Sequence, residues 1–313
     1  MAQEELIHRP VLLNEVLEAL NVQPEGIYLD GTFGRGGHAR AVLARLGTQG
    51  QLLATDKDPA AIETGRKLMA EDARFGIVQG SYTMLGHEAK QRGWAGRVNG
   101  ILLDLGVSSP QLDDASRGFS FRSDGPLDMR MDTTSGESAA DWLAHASERE
   151  IADVLFEYGE ERHAKRIARA IVKTRESEGP IKTTGRLAEV VAAANPSWER
   201  DKHPATRSFQ AIRIHINGEL NELDQFLPQC IDLLAPGGRL AIISFHSLED
   251  RRVKRFIRDE ARGDDFPPGL PITADQIHAR LRGVGKAIYA SEEEVRDNPR
   301  ARSAVLRVAE RCA

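Results

Sequence analysis

Residues 27–38, reading I-Y-L-D-G-T-F-G-R-G-G-H, limit the fold more than any other stretch of this chain. Apolar Ile27 and Leu29 run into a carboxylate at Asp30. Gly31, Gly34, Gly36 and Gly37 then precede an alanine-rich run over 38–46. That is the pattern of a strand, a tight loop and a helix N-terminus, in which glycines accept positive φ and unpaired N–H groups face outward. The loop suits a nucleotide-like ligand, and because glycine loops of this kind serve several cofactors, the residues downstream of it decide which.

A second apolar run at 51–55 ends in Asp56, about where doubly wound folds place the acid that holds a ribose; the competing reading is a helix cap for the segment opening at Pro59, a place for which Asp58 is the rival. Further apolar runs at 75–78 and 98–103 end near Tyr82 and at Asp104, and helical periodicity over 6–20, 38–46 and 59–70 fills the intervals. Alternation of this kind predicts a parallel, doubly wound sheet, with ligands outside the carboxyl ends of its strands. Carboxylates at Asp30, Asp56 and Asp104 fit poorly with a ligand made only of phosphates. They suit a cation with an amine and a ribose, and S-adenosylmethionine has both, together with a sulfonium.

From Ser108 the alternation stops. Residues 110–132 form a long irregular loop rich in Asp, Ser, Gly, Arg and Met, and helices are expected over 138–158, 160–176 and 184–194. The sheet resumes after a helix over 217–234, with a fifth strand at 239–245, a basic helix over 247–262, a Pro-rich loop at 266–271 and a last strand near 304–308. The expected division is a Rossmann-like domain over 1–109 and 215–313 and an inserted, mainly helical substrate-recognition domain over 110–214.

Hydrophobic content of 41% and charged content of 28% describe an ordinary globular chain. No membrane span, secretion signal or metal-ligand spacing is visible, and two unpaired cysteines, Cys230 and Cys312, predict a reduced, cytoplasmic protein. The formal charge of −5 hides basic runs at 162–175, 251–262 and 296–311, and local potential rather than net charge attracts a polyanion.

The blocks D-G-T-F-G-R-G-G-H at 30–38, L-D-L-G-V-S-S-P-Q-L-D at 103–113, R-G-F-S-F at 117–121, G-P-L-D-M-R-M at 125–131, H-P-A-T-R-S-F-Q-A-I-R-I at 203–214, S-F-H-S-L-E-D-R at 244–251 and N-P-R-A-R-S at 298–303 together resemble the MraW/RsmH family. Ser208 stands where a threonine is expected, a conservative difference. The resemblance runs from near Pro10 to near Ala309. It implies a class I S-adenosylmethionine-dependent methyltransferase acting on the N4 amine of a decoding-centre cytidine, near the P site, in bacterial 16S ribosomal RNA of the small subunit. It also implies cofactor contacts at Gly36, Gly37, His38, Asp56, Tyr82, Asp104 and Gln111, to which the strand end and the glycine loop add Asp30 and Gly34 as candidates.

Amino-group methyltransferases commonly carry an Asp/Asn/Ser-Pro-Pro-aromatic motif after strand four. The stretch 104–107 keeps the leading carboxylate and lacks both prolines and the aromatic. Asp104, Ser108 and Ser109 are the candidate acceptor pocket and His246 a candidate proton acceptor, against the alternatives of helix-capping serines and a satisfied strand-end histidine. Phe119 and Phe121 are candidates to stack on an unstacked base, against a role in the core. A noncatalytic ribosome-assembly factor and a nicotinamide oxidoreductase are the competing functions, and the sequence leaves a homodimer open.

Overall fold

The computed structural model describes residues 10–196, 203–263 and 278–313; the expected positions 6–9 and the Pro-rich loop at 266–271 lie outside them. The chain forms two compact units, one of residues 1–106 with 220–313 and one of 107–219, where the sequence suggested boundaries at 109/110 and 214/215.

The first unit opens with α1 (Leu13–Leu20), β1 (Ile27–Asp30), α2 (Gly37–Leu43), β2 (Gln51–Asp56), α3 (Pro59–Glu71), β3 (Phe75–Gln79), α4 (Leu85–Gln91) and β4 (Val98–Asp104). Apolar runs without alternation become strands buried on both faces. Asp58 caps α3, its carboxylate accepting from Ala60 N–H with Pro59 in the first turn, so the capping position expected near Asp56 is filled by its neighbour.

The second unit holds α5 (Ser109–Asp113), α6 (Ala139–His145), α7 (Glu148–Gly159), α8 (Ala164–Glu178), α9 (Thr184–Ala194) and α10 (Thr206–Asn217). The single helix expected over 138–158 is two. Ser138 and Ser147 each open a capping box, with Asp141 and Glu150, and the second box restarts the chain at Ala146. The helix α10 was not anticipated; it ends at Gly218, which takes φ +63 as its left-handed cap. Leu127, Met129, Trp142, Leu143, Leu155, Ile167 and Ile212 share one core. Met129 reaches φ +64 while fully buried, and Asn217 holds this bend. Its side chain accepts from Met131 N–H at 2.7 Å and donates to the carbonyls of Met129 and Arg213 at 2.8 Å each.

The first unit then resumes with α11 (Glu219–Leu233), β5 (Leu234–Ser244), α12 (Ser247–Arg262), β6 (Leu281–Gly283), β7 (Ile288–Tyr289), α13 (Glu292–Asp297) and β8 (Val305–Arg311). The strand β5 begins at Leu234, not 239: Pro236, Gly237 and Gly238 are carried inside it, at a register shift between Val98 and Gly100 of β4. The sheet order is β3-β2-β1-β4-β5-β8-β6, with β7 also on β8. The strands β1 to β5 pair in parallel, and β8 is antiparallel to β5, β6 and β7. This is the doubly wound class I methyltransferase sheet. Tyr28, Leu52, Leu102 and Ile243 face one helical layer, and Leu29, Leu53, Leu103 and Ile242 the other. The strand order reverses between β1 and β4, the place where such sheets open a ligand crevice.

Candidate functional site

Asp30 ends β1 and Asp104 ends β4, on either side of that reversal, while Asp56 ends the neighbouring β2. The glycine loop is tied to all three. Thr32 N–H donates to Asp30 Oδ1 at 3.0 Å, Thr32 Oγ1 accepts from Asp104 N–H at 2.6 Å, and Gly34 N–H donates to Asp56 Oδ2 at 2.7 Å. Asp56 Oδ1 accepts from Asp58 N–H at 2.9 Å, so each oxygen has a fixed donor and the carboxylate keeps lone-pair capacity to offer. Thr32, which sequence reasoning passed over, is the cross-brace between β1 and β4.

The glycines are required by close approach as well as by φ. A Cβ at Gly31 would stand 2.3 Å from Leu103 Cδ2 and 2.7 Å from Tyr82 Cβ, and one at Gly37 would stand 2.2 Å from Pro10 Cγ. Gly36, at φ +77, lies over the Phe33 ring. Gly34, at φ +57, faces open space and leaves its side of the loop free for a ligand. Tyr82 is buried edge-on against Phe226, with ring centroids 5.3 Å apart.

Three carboxylates, Asp30 buried and Asp56 and Asp104 partly so, with no Lys or Arg paired to them among the described residues, crowd negative charge together. Burial, and then the charge of Asp56, push Asp30 up to about 7 despite the Thr32 hydrogen bond. Burial, then Asp30 and Glu249, push Asp104 up to about 8, and burial raises Asp56 as well. Asp104 Oδ1 is buried without a hydrogen-bond partner, although the side chain as a whole keeps 27% of its exposure. It is a partly exposed side chain with an acceptor oxygen left unfilled. A cationic ligand with hydrogen-bond donors would relieve both the repulsion and the unfilled lone pair, so the residues present fit the sulfonium and amine of S-adenosylmethionine.

His38 stands in the first turn of α2, its Nε2 3.0 Å from the Val11 carbonyl and its Nδ1 3.8 Å from Asp104 Oδ2. Burial lowers it to about 4, and a carbonyl can only accept. Nε2 therefore carries the hydrogen, and Nδ1 turns a lone pair toward Asp104. Val11 is in turn part of a strap over the loop, since Leu12, at φ +53, donates its N–H to Glu294 Oε1 at 2.7 Å.

His246 follows β5 and opens α12, its Nε2 3.1 Å from Glu249 Oε1; Glu249 Oε2 accepts the N–H of Phe245 at 2.9 Å and of His246 at 3.3 Å. Glu249 was missed, though H-x-x-E ahead of an apolar position is a capping-box signal. Ser108, Ser109 and Gln111 belong to the second unit. Ser108 is the N-cap of α5, its N–H donating to Gln111 Oε1 at 2.8 Å, which is the capping alternative. The stacking role considered for Phe119 is corrected: its ring is buried in the core of the second unit beneath the Arg117 guanidinium. Phe121 packs there on His203 and Phe209, centroids 4.6 and 4.8 Å away, as alternation along an extended segment would also allow.

Among the described residues no helix is long and apolar enough to cross a membrane, and no group of three or more His, Cys, Asp or Glu could hold a metal ion. The family model described as MraW methylase family matches residues 5–312. A relative from Nitrosococcus oceani, named Ribosomal RNA small subunit methyltransferase H, is 59% identical over 305 residues, covering 97% of this chain and 96% of its own. One from Thioalkalivibrio sulfidiphilus with the same name is 61% identical over 307 residues, covering 98% of each. A solved rRNA methylase from Streptococcus thermophilus aligns over 98% of this chain and 99% of its own at a TM-score of 0.39 and 12% identity.

Proposed function

This chain belongs to the MraW methylase family, and from that premise we propose that it transfers a methyl group from S-adenosylmethionine to the N4 amine of a P-site cytidine in bacterial 16S rRNA of the small subunit. The relatives' names support methylation of small-subunit rRNA, and the unfilled Asp104 Oδ1 at the end of β4 supports an amine as acceptor.

When bound, S-adenosylmethionine supplies an electrophilic methyl and a positive charge. Asp56, with lone-pair capacity still open, would hold the ribose hydroxyls; the glycine loop, with open space at Gly34, would border the donor, with His38 in the turn that follows. Asp30 offers its charge to the amine of the donor, and Tyr82 borders the adenine. Beside a bound cation, Asp104 would be held in its ionised form. The N4 lone pair of cytosine is delocalised into the ring, so Asp104 Oδ1 accepts one N–H, turns the lone pair toward the methyl and takes the proton as the N–C bond forms and the S–C bond breaks. Glu249 fixes the start of α12 through the N–H groups of Phe245 and His246 and places a negative charge near Asp104, and His246 is the candidate to take the proton onward. Gln111 keeps the donor contact that the resemblance implies, while Ser108 and Ser109, candidates for the acceptor pocket on sequence grounds, belong to the second unit, where Ser108 caps α5.

The test is transfer of labelled methyl to small subunits lacking the modification, followed by digestion and mass identification of the nucleoside. N4-methylcytidine formed by the wild type and lost in Asp104→Asn is the expected result. Cofactor binding without transfer to subunits or free 16S RNA would overturn the substrate, and absence of both would favour the assembly factor.

A further inference from the structure

The helix α8 buries Ala164, Ile167, Ala168 and Ile171 in the core of the second unit. Opposite them Lys165, Arg166, Arg169 and Lys173 are all exposed. At 3.6 residues per turn, offsets of 0, 1, 4 and 8 fall within an arc of about 100° and span about 12 Å along the axis. Arg162 is exposed in the turn just before. Among the described residues the one carboxylate paired with any of the four is Glu148, 3.5 Å from Arg169 in a pair that is largely solvated.

Stability does not account for this face. Lys165 and Arg166 occupy the first turn, where the helix dipole favours acids, and α8 carries no acid there and no side-chain cap on its N-terminus. The helix α7 shows what a merely solvated surface looks like, with Arg149 3.7 Å from Asp153. On α12 Arg252 and Arg258 pair with Asp224 and Asp259, while Lys254 and Arg255 are exposed with no ion pair among the described residues. On α8 the acids come only at the far end, at Glu176 and Glu178.

We infer that the exposed face of α8 is a phosphate-tracking surface for the ribosomal RNA substrate, with Lys165, Arg166 and Lys173 as its free cations. It deepens the rRNA reading above and rests on it. Such contacts release counterions, so affinity falls with salt by about 0.7 to 0.9 per phosphate contact on a log–log plot. They add affinity across sequences without reading bases.

The experiment measures equilibrium binding of 16S rRNA and of unmodified small subunits across a series of salt concentrations, with methyl transfer and S-adenosylmethionine affinity read on the same preparations. Lys165→Gln/Arg166→Gln/Lys173→Gln should flatten the salt slope by about two to three. It should weaken binding most at low salt and leave cofactor affinity unchanged. Removing two cations from the first turn should hold Tm or raise it slightly, which a structural role for them would not do. Glu176→Lys, which lengthens the stripe, should steepen the slope by about one. Arg149→Gln, on the paired face of α7, should do nothing. An unchanged slope in the triple variant, or an equal change in Arg149→Gln, would overturn the inference. If the wild type binds RNA with a slope that the triple variant lacks but transfers no methyl, the α8 surface stands and the catalytic reading falls.

Discussion

His38 Nδ1 stands 3.8 Å from Asp104 Oδ2 with only a lone pair to present, because Nε2–H is committed to the Val11 carbonyl. The ring therefore suits the protonated form of Asp104 and gives no charge support to the carboxylate. The ion that settles Asp104 in its ionised state has to come from the ligand.

Cofactor binding should accordingly release protons. In the ligand-free protein Asp30 and Asp104 titrate near 7 and 8. A cation at the site lowers both, so affinity for S-adenosylmethionine should rise between pH 6 and 8. Calorimetry in two buffers of different ionisation enthalpy would count the protons. Asp104→Asn should bind with a shallower pH dependence and lose methyl transfer by about 10²-fold or more, the scale of one acceptor that acts in the transition state. Retained transfer would remove Asp104 from the chemistry.

Stability of the ligand-free protein should follow the opposite trend. Both carboxyls are raised in the fold, so the native state keeps protons that the unfolded chain has lost, and their contribution falls as pH climbs from about 4 through 8. His38 is lowered to about 4, so its contribution is lost instead as pH drops from 6.5 toward 4 and partly offsets theirs there. Melting curves across pH should show Asp104→Asn flattening the fall above pH 6.5, where the carboxyls act alone, and His38→Phe steepening the fall between 4 and 6.5.

Gly31 and Gly34 should separate packing from backbone. Gly31→Ala forces a methyl against Leu103 and Tyr82 and should cost about 1–3 kcal/mol as overpacking, with cofactor affinity falling as Tyr82 shifts. Gly34→Ala meets nothing but holds φ +57, and should cost about 1–2 kcal/mol without disturbing Tyr82. Thermal melts with cofactor titrations distinguish them.

Glu294→Ala strands the buried Leu12 N–H, a loss of about 1–3 kcal/mol, whereas Glu294→Gln keeps the acceptor and should restore most of it. Because that strap carries Val11, the KM for S-adenosylmethionine should rise in the alanine variant more than kcat falls. Equal effects of both substitutions would show that charge, not the acceptor, matters.

In the second unit Asn217→Ala removes one acceptor and two donors around the left-handed Met129. A loss of about 2–3 kcal/mol in chemical denaturation is expected, the upper part of the range for buried unsatisfied groups.

Much of the first unit was legible because its strands are apolar runs that stop at carboxylates: Asp30, Asp56 and Asp104 mark ends that the fold places beside one another. What escaped has physical reasons. The strands β6 and β7 are three and two residues long, too short for any period, and are held by β8 rather than by their own pattern. The break between α6 and α7 turns on one serine box. Thr32 acts on a backbone N–H across two strands, which no side-chain pattern advertises, and the Val11 contact that sets the His38 tautomer joins segments 27 residues apart.

The neighbours β4 and β5 flank the whole of the second unit in the chain. A polypeptide emerging from its N-terminus therefore completes a self-contained helical unit, with its own core, while β4 is still an open edge. The run of 98–103 then waits as bare, apolar strand, the kind of edge that recruits foreign strands. Fragments ending between Gly218 and Leu234 should be more prone to aggregate than fragments ending before Val98, and the interval in which a nascent chain most needs protection is set by the length of its insertion.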